Sequence, residues 1–431
     1  MLLRFGVSNY RSIRDYQELL LTASKLKDRS EHLFADAGLR NPVVPVAAIY
    51  GANASGKSNL LRAINFMRIG VLRSHLREDI GSPIQRKPFL LAPACVTQPS
   101  RFDIDFMLDG VRYHYGFVAS DARVEEEWLY AYPSGRRQVW FHRDAADKES
   151  PFRFGKNLGG RNRIIESLTR EDSLFLSVAA QNNHPRLLPL YEFFASSFLF
   201  RLVPLETLFP LTTRAYSDPA LRDRAATVLQ AADLGIESLS IAREELPQEV
   251  QPMLNELESL AKDHHLDLGL NRDPDGDVEV LGVSHRTRDQ KNIVFSHLDE
   301  SRGTQTLISL LPQVFQALDR GALLVVDELE ASMHPLLVRR LLEMFSDPEI
   351  NRGRGQLIFS THNTDLLSGE LLRRDQQWFT EKDSGGATSL YSLSDYHTRS
   401  NDNHERAYLQ GRYGAVPVFG SLERMAAQGE A

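Results

Sequence analysis

Only one cysteine, Cys95, occurs in 431 residues. That excludes an intramolecular disulfide and any multi-cysteine zinc site, and it fits a reducing, cytoplasmic setting. No apolar run approaches the ~20 residues that a membrane-spanning helix needs, so no membrane partner is expected. The first six residues, Met1-Leu2-Leu3-Arg4-Phe5-Gly6, turn polar too early for a signal peptide. An excess of positive charge is missing as well. The formal net charge is −7, which gives no whole-chain signal for nucleic acid while leaving room for a local patch. Internal repeats, low-complexity tracts and sustained heptads are not found. What is present is 42% hydrophobic and 25% charged residues. Such a chain buries a core and is long enough for two domains, or for one large α/β domain with an insertion.

The most specific stretch follows a short apolar run at residues 43–50, which reads as a buried strand. The strand runs into Gly51-Ala52-Asn53-Ala54-Ser55-Gly56-Lys57-Ser58, after which Leu60, Leu61, Ile64 and Met67 fall at helical spacing. Strand, glycine loop and helix form the context that a phosphate-binding loop requires. Gly51 and Gly56 let the backbone curl so that N–H groups converge, and the helix N-terminus adds positive potential. The loop residues Asn53, Ala54, Ser55, Gly56, Lys57 and Ser58 are therefore candidate nucleotide contacts. Lys57 supplies a point charge for the β- and γ-phosphates, and the Ser58 hydroxyl suits Mg²⁺.

A second stretch lies far downstream. Ala322-Leu323-Leu324-Val325-Val326-Asp327-Glu328 reads as a buried parallel strand ending in two carboxylates. Its end falls where open α/β sheets bind ligands. Asp327 suits Mg²⁺, held directly or through water, and Glu328 suits a base that orients an attacking water. A further buried strand, Gln356-Leu357-Ile358-Phe359-Ser360-Thr361-His362, closes on a histidine.

Elsewhere, strands are expected at residues 2–7, 16–21, 102–106, 111–117, 128–132 and 138–142, with Asp109-Gly110 as a hairpin turn. Tyr113, Tyr115, Trp128 and Trp140 are expected in the core of this antiparallel patch. From about 210 to 271 the pattern reads as helical, with Leu254, Leu257 and Leu260 at helical spacing. Residues 271–277 read as a loop. Residues 278–283 and 293–295 read as strands, and a helix is expected over about 336–345. The tail segment Tyr408-Leu409-Gln410-Gly411-Arg412-Tyr413-Gly414 has no role assigned by its residues alone.

Together with Asn9-Tyr10-Arg11-Ser12 near the start and Glu300-Ser301-Arg302-Gly303-Thr304 ahead of the Asp-Glu strand, these motifs resemble the ATP-binding cassette superclass in its chromosome-maintenance, Rad50 and RecF branch. Within that branch the chain is most similar to AAA15-type ATPases of bacterial anti-phage and abortive-infection systems. The resemblance implies an α/β fold, an ABC-type ATPase head with a phosphate-loop parallel core and an antiparallel β lobe. A short helical insertion would replace the long coiled coil. The implied division is 1–209 and 278–431 for the head and 210–277 for the insertion.

The resemblance further implies ATP and Mg²⁺ as cofactors. Lys57, Glu328 and His362 would be catalytic, His362 sensing the γ-phosphate, and Arg11 and Ser12 would touch nucleotide. Ser301 and Gly303 would be the signature that caps the nucleotide of an opposite subunit, with Arg302 standing where the family has glycine. Gln181 would join Ser58 and Asp327 at the metal. A homodimer or higher even oligomer follows, with a separate effector protein, a nuclease, as partner. The alternative is a RecF-like or Rad50-like repair ATPase that binds DNA.

Overall fold

The computed structural model describes residues 1–76, 83–202, 213–232, 234–244, 252, 278–289, 291–399 and 402–417. Strands β1 (Leu2–Ser8) and β2 (Gln17–Leu20) open the chain, followed by β3 (Val46–Tyr50), whose five residues are all buried. Helix α1 (Lys57–Arg73) then starts directly from the glycine loop. After a short helix α2 (Pro93–Thr97) come β4 (Ser100–Leu108), β5 (Val111–Ala119), β6 (Val124–Tyr132), β7 (Gln138–Asp144) and β8 (Phe152–Phe154). These strands pair antiparallel in the order β2-β1-β4-β5-β6-β7-β8. The β4–β5 turn is built from Asp109 (φ 49°) and Gly110 (φ 73°), the two left-handed residues that a tight hairpin of matching twist demands.

Three helices follow, α3 (Asn162–Leu168), α4 (Phe175–Gln181) and α5 (Leu188–Ser196), and lead into β9 (Phe198–Arg201). The second sheet is completed by β13 (Leu323–Val326), β14 (Gln356–Ser360), β15 (Gln377–Lys382) and β16 (Thr388–Ser392). Its order is β16-β15-β3-β14-β13-β9, parallel throughout except for β15–β16. The central strands are apolar along their length because helices and the antiparallel lobe leave neither face to water. Helix α1 buries Leu60, Leu61, Ile64, Met67 and Val71 and touches both β14 and β4, so one core joins the two sheets. Tyr113, Tyr115, Trp128 and Trp140 are all buried, in agreement with their expected place in the lobe. A short helix, α9 (His404–Leu409), packs Tyr408 against Tyr50 and Phe379. The chain is thus a mixed α/β fold with a parallel core and an antiparallel lobe, all within a unit made of Met1–Leu202, Ala317–Glu328 and Leu342–Ala431.

The other unit comprises Val203–Gln316 and Leu329–Leu341. Here α6 (Pro219–Ala231), capped by the Asp218 carboxylate at the Ala220 N–H, lies on a three-stranded antiparallel sheet. Its strands are β10 (Ile236–Glu244), β11 (Val278–Arg286) and β12 (Asn292–Ser296). The helical pattern expected through residues 210–271 is corrected at 236–244, which form a strand. Ile236 and Leu239 stand three apart, a helical spacing, but a bulge between Ile236 and Ser238 lets both be buried in a strand paired with β11. Leu254, Leu257, Leu260 and the 271–277 loop lie outside the described residues, so the insertion is described only in part. The remaining helices are α7 (Arg302–Arg320) and α8 (Pro335–Ser346). Among the described residues the longest helix is α7 at 19 residues, and no helix is long and apolar enough to cross a membrane.

Candidate functional site

The glycine loop curls because three of its residues sit at positive φ: Gly51 at 152°, Ala54 at 63° and Gly56 at 118°. A Cβ on Gly51 would stand 2.5 Å from Ser55 Oγ and from the Thr380 carbonyl, and one on Gly56 would collide with the Thr388 side chain. Both glycines are therefore required by space as well as by conformation. The two threonines brace the loop from β15 and β16. Thr380 Oγ1 lies 2.6 Å from Ser55 Oγ and donates to the Tyr50 carbonyl, while Thr388 Oγ1 lies 2.7 Å from the Ser55 carbonyl and 2.8 Å from Ser12 Oγ. Asn59 donates to the same Ser12 hydroxyl at 2.8 Å.

Lys57 is 6% exposed, and its ammonium donates to the carbonyls of Gly51 (2.9 Å) and Ala52 (3.3 Å), so the charge is folded over the loop. No side chain caps the start of α1. Among the described residues the N–H groups of Ala54, Gly56 and Ser58 have no acceptor within the chain. A curled run of free N–H donors at an uncapped helix N-terminus beside a buried ammonium fits a chain of phosphates.

The carboxylates approach from β13. Parallel pairing of Val326 with Phe359 places Asp327 beside Ser360. Ser58 Oγ and Ser360 Oγ both donate to Asp327 Oδ1, at 3.0 and 2.6 Å. Glu328 is exposed, carries φ 54°, and its N–H donates to Ser360 Oγ at 2.7 Å. A non-glycine residue in the left-handed region costs about 1–2 kcal/mol, and the bond to Ser360 holds it there. Among the described residues no lysine or arginine forms an ion pair with Asp327 or Glu328. A carboxylate oriented by neutral hydroxyls, with its charge uncompensated and a serine at its side, is a hard-oxygen donor set that fits Mg²⁺.

The other expected site residues fall as follows. His362 is exposed, two positions past the end of β14, in a turn where Asn363 N–H donates to Thr361 Oγ1 and Thr364 Oγ1 donates to Glu405. Arg11 is half-buried at φ 51°, its backbone N–H bonded to the Lys87 carbonyl and its guanidinium 5.7 Å from the Tyr10 ring. Gln181 is the exposed last residue of α4 and makes no side-chain hydrogen bond to the loop. The helix is anchored at its other end, where the fully buried Glu127 carboxylate accepts from the N–H groups of Phe175 (2.6 Å) and Leu176 (3.1 Å). Burial pushes Glu127 above the usual carboxylate range.

Ser301 and Gly303 belong to the other unit. Ser301 Oγ accepts from the Thr304 N–H and so caps α7, and a Cβ on Gly303 would lie 2.5 Å from the Ser332 carbonyl. That close approach gives the glycine a local reason, while Arg302 is exposed at the first position of the helix.

Three residues escaped the sequence reading: Ser360, Thr380 and Thr388. Only Ser360 had a signal, a hydroxyl ending an otherwise apolar buried strand. The two threonines act through pairings that no local pattern announces.

Fold and loop together define a P-loop α/β protein. Its family is the one described as "AAA domain, putative AbiEii toxin, Type IV TA system", which matches residues 46–368, about three-quarters of the chain. The chain belongs to that family. No curated protein matches it. Among solved structures it is similar to an Smc head bound to the C-winged helix domain of ScpA, at 14% identity and a TM-score of 0.39 over 91% of this chain and 97% of that one. It is also similar to the SMC head domain from Thermotoga maritima, at 13% identity and a TM-score of 0.35 over 91% and 98%. A third is an Smc head with an extended coiled coil bound to the C-terminal domain of ScpA, derived from Pyrococcus furiosus, at 13% identity and a TM-score of 0.36 over 91% and 96%.

Proposed function

We propose that this chain binds and hydrolyses ATP with Mg²⁺ as the switch and scaffold subunit of a bacterial anti-phage defence system. Two heads close around ATP, and their state controls a separate effector, a nuclease. The observation that carries the reading is the meeting of a free-donor phosphate loop with the unpaired carboxylates Asp327 and Glu328, linked through Ser58. The defence setting is supported by the family's description, "AAA domain, putative AbiEii toxin, Type IV TA system".

In this reading the loop N–H groups and Lys57 hold the phosphates, and Ser58 and Asp327 hold the metal. Mg²⁺, when bound, neutralises charge on the phosphate oxygens. Glu328 orients a water for attack and takes its proton, which suits its exposed position one residue beyond Asp327. Ser301 and Gly303, at the start of α7, cap the nucleotide of a second copy. His362 reads the γ-phosphate, and closure lasts while that phosphate is present.

The test is the mass distribution of purified Glu328→Gln with and without ATP-Mg²⁺. The expected result is a shift from monomer to dimer, or from dimer to a higher even state, only with nucleotide. The same assembly in both conditions contradicts a switch that closes on ATP. Assembly that requires added DNA favours a DNA-binding repair ATPase instead.

A further inference from the structure

We propose that Ser360 is a positioning residue that sets the metal-binding carboxylate and the catalytic base from one hydroxyl, an inference that rests on the ATPase reading above. Ser360 is the last residue of β14 and is fully buried. The polarity of its bonds is forced. A carboxylate only accepts and a backbone N–H only donates, so the single Ser360 proton goes to Asp327 Oδ1 while its lone pair receives the Glu328 N–H. With Oδ1 committed to this bond, Asp327 is fixed about its terminal torsion and its second oxygen is left for a cation. The Glu328 bond holds a backbone at φ 54° that would otherwise relax. Ser360 also pairs with Ile49 of β3, two residues before the glycine loop, and stands two residues before His362. One residue therefore joins these parts: its hydroxyl links the Asp327 carboxylate to the Glu328 backbone, and its main chain pairs with the phosphate-loop strand and leads into the histidine turn.

Ser58 shares the same Asp327 oxygen. Its hydroxyl can keep that donation while a lone pair faces a metal, so Ser58 would meet the metal directly, whereas Ser360 acts on the site only through Asp327 and the Glu328 N–H. Fully buried at the end of β14, Ser360 holds Asp327 from the sheet side. Groups that orient metal ligands typically carry about 10–100-fold in metal affinity or activity, and an effect of that size is expected here.

The experiment uses the full chain as wild type, Ser360→Ala and Ser360→Cys, the last keeping the volume with a weaker donor. A fluorescent ATP analogue is titrated in EDTA and then across Mg²⁺ concentrations, and ATP turnover is measured in parallel. For both variants the account expects metal-free nucleotide affinity within about twofold of wild type. The Mg²⁺ concentration for half-maximal binding should rise about tenfold, and kcat should fall about 10–100-fold with little change in KM. Equal Mg²⁺ dependence in wild type and Ser360→Ala overturns the proposal, as does a Ser360→Cys that behaves as wild type, which would reduce Ser360 to filling space. If Ser360→Ala does not fold, Ser360→Cys decides alone. A wild type that binds ATP-Mg²⁺ without turning it over defeats the ATPase reading, while the Mg²⁺ titration still judges Ser360.

Discussion

Two groups of carboxylates in the same unit are held in opposite ways. On the antiparallel lobe, Asp103 is fully buried and surrounded by cations: the Arg4 guanidinium bonds Oδ1, Arg101 Nε bonds Oδ2 at 3.1 Å, and the Tyr16 hydroxyl reaches both oxygens. Asp105 beside it is bonded by His114 and Arg4; burial opposes its charge, yet these partners hold it below the usual carboxylate range. At the C-terminal ends of the parallel strands, among the described residues the Asp327 carboxylate is bonded only by two serine hydroxyls, and Glu328 faces solvent without an ion pair. A carboxylate used for structure has its charge cancelled by the chain. A carboxylate kept for a ligand has its direction set and its charge left open.

The comparison is sharpened by making the same substitution in both places. Asp103→Asn should cost about 2–3 kcal/mol of unfolding free energy, because charge-assisted bonds to Arg4 and Arg101 are lost in a buried place. Asp327→Asn should change stability by less than about 1 kcal/mol while removing Mg²⁺-dependent nucleotide binding. Denaturant melts of the two variants check this, and equal destabilisation would dissolve the distinction.

A smaller effect comes from buried histidines, in which burial outweighs the neighbours that favour their charge. Burial lowers the pKa of His184, His297 and His404 below the ordinary value of 6.5. The folded state keeps them neutral while the unfolded chain takes up protons near pH 6.5, so stability is full above that pH and falls below it. The midpoint of thermal unfolding should drop between pH 7.5 and 5.5, and His404→Asn should flatten the decline. A midpoint that rises on acidification would reverse the assignment.

What the sequence disclosed follows from how local each feature is. The glycine loop and the start of α1 are written in eight consecutive residues whose spacing is a backbone requirement, and the buried strands β3, β13 and β14 are short apolar runs. The Asp-Glu pair at the end of β13 says little alone, and it gains force from the glycine loop far upstream. By contrast, β10 reads as helix because Ile236 and Leu239 stand three apart, and the bulge and partner strand that decide otherwise cannot be seen locally, the partner lying some forty residues on. Ser360 was passed over because its role exists only once parallel register sets Phe359 against Val326, joining residues 33 positions apart. Thr380 and Thr388 brace the loop from more than 300 residues away. Hydroxyls carry no pattern of their own, and their function is set by what the fold brings near.

The most direct test of the central claim is ATP turnover by wild type and Glu328→Gln, with ATP-Mg²⁺ binding measured on the same preparations. The account predicts turnover slowed by roughly 10²–10⁴ in the variant with binding retained. Turnover at the wild-type rate would contradict it, and Glu328 would not be the base.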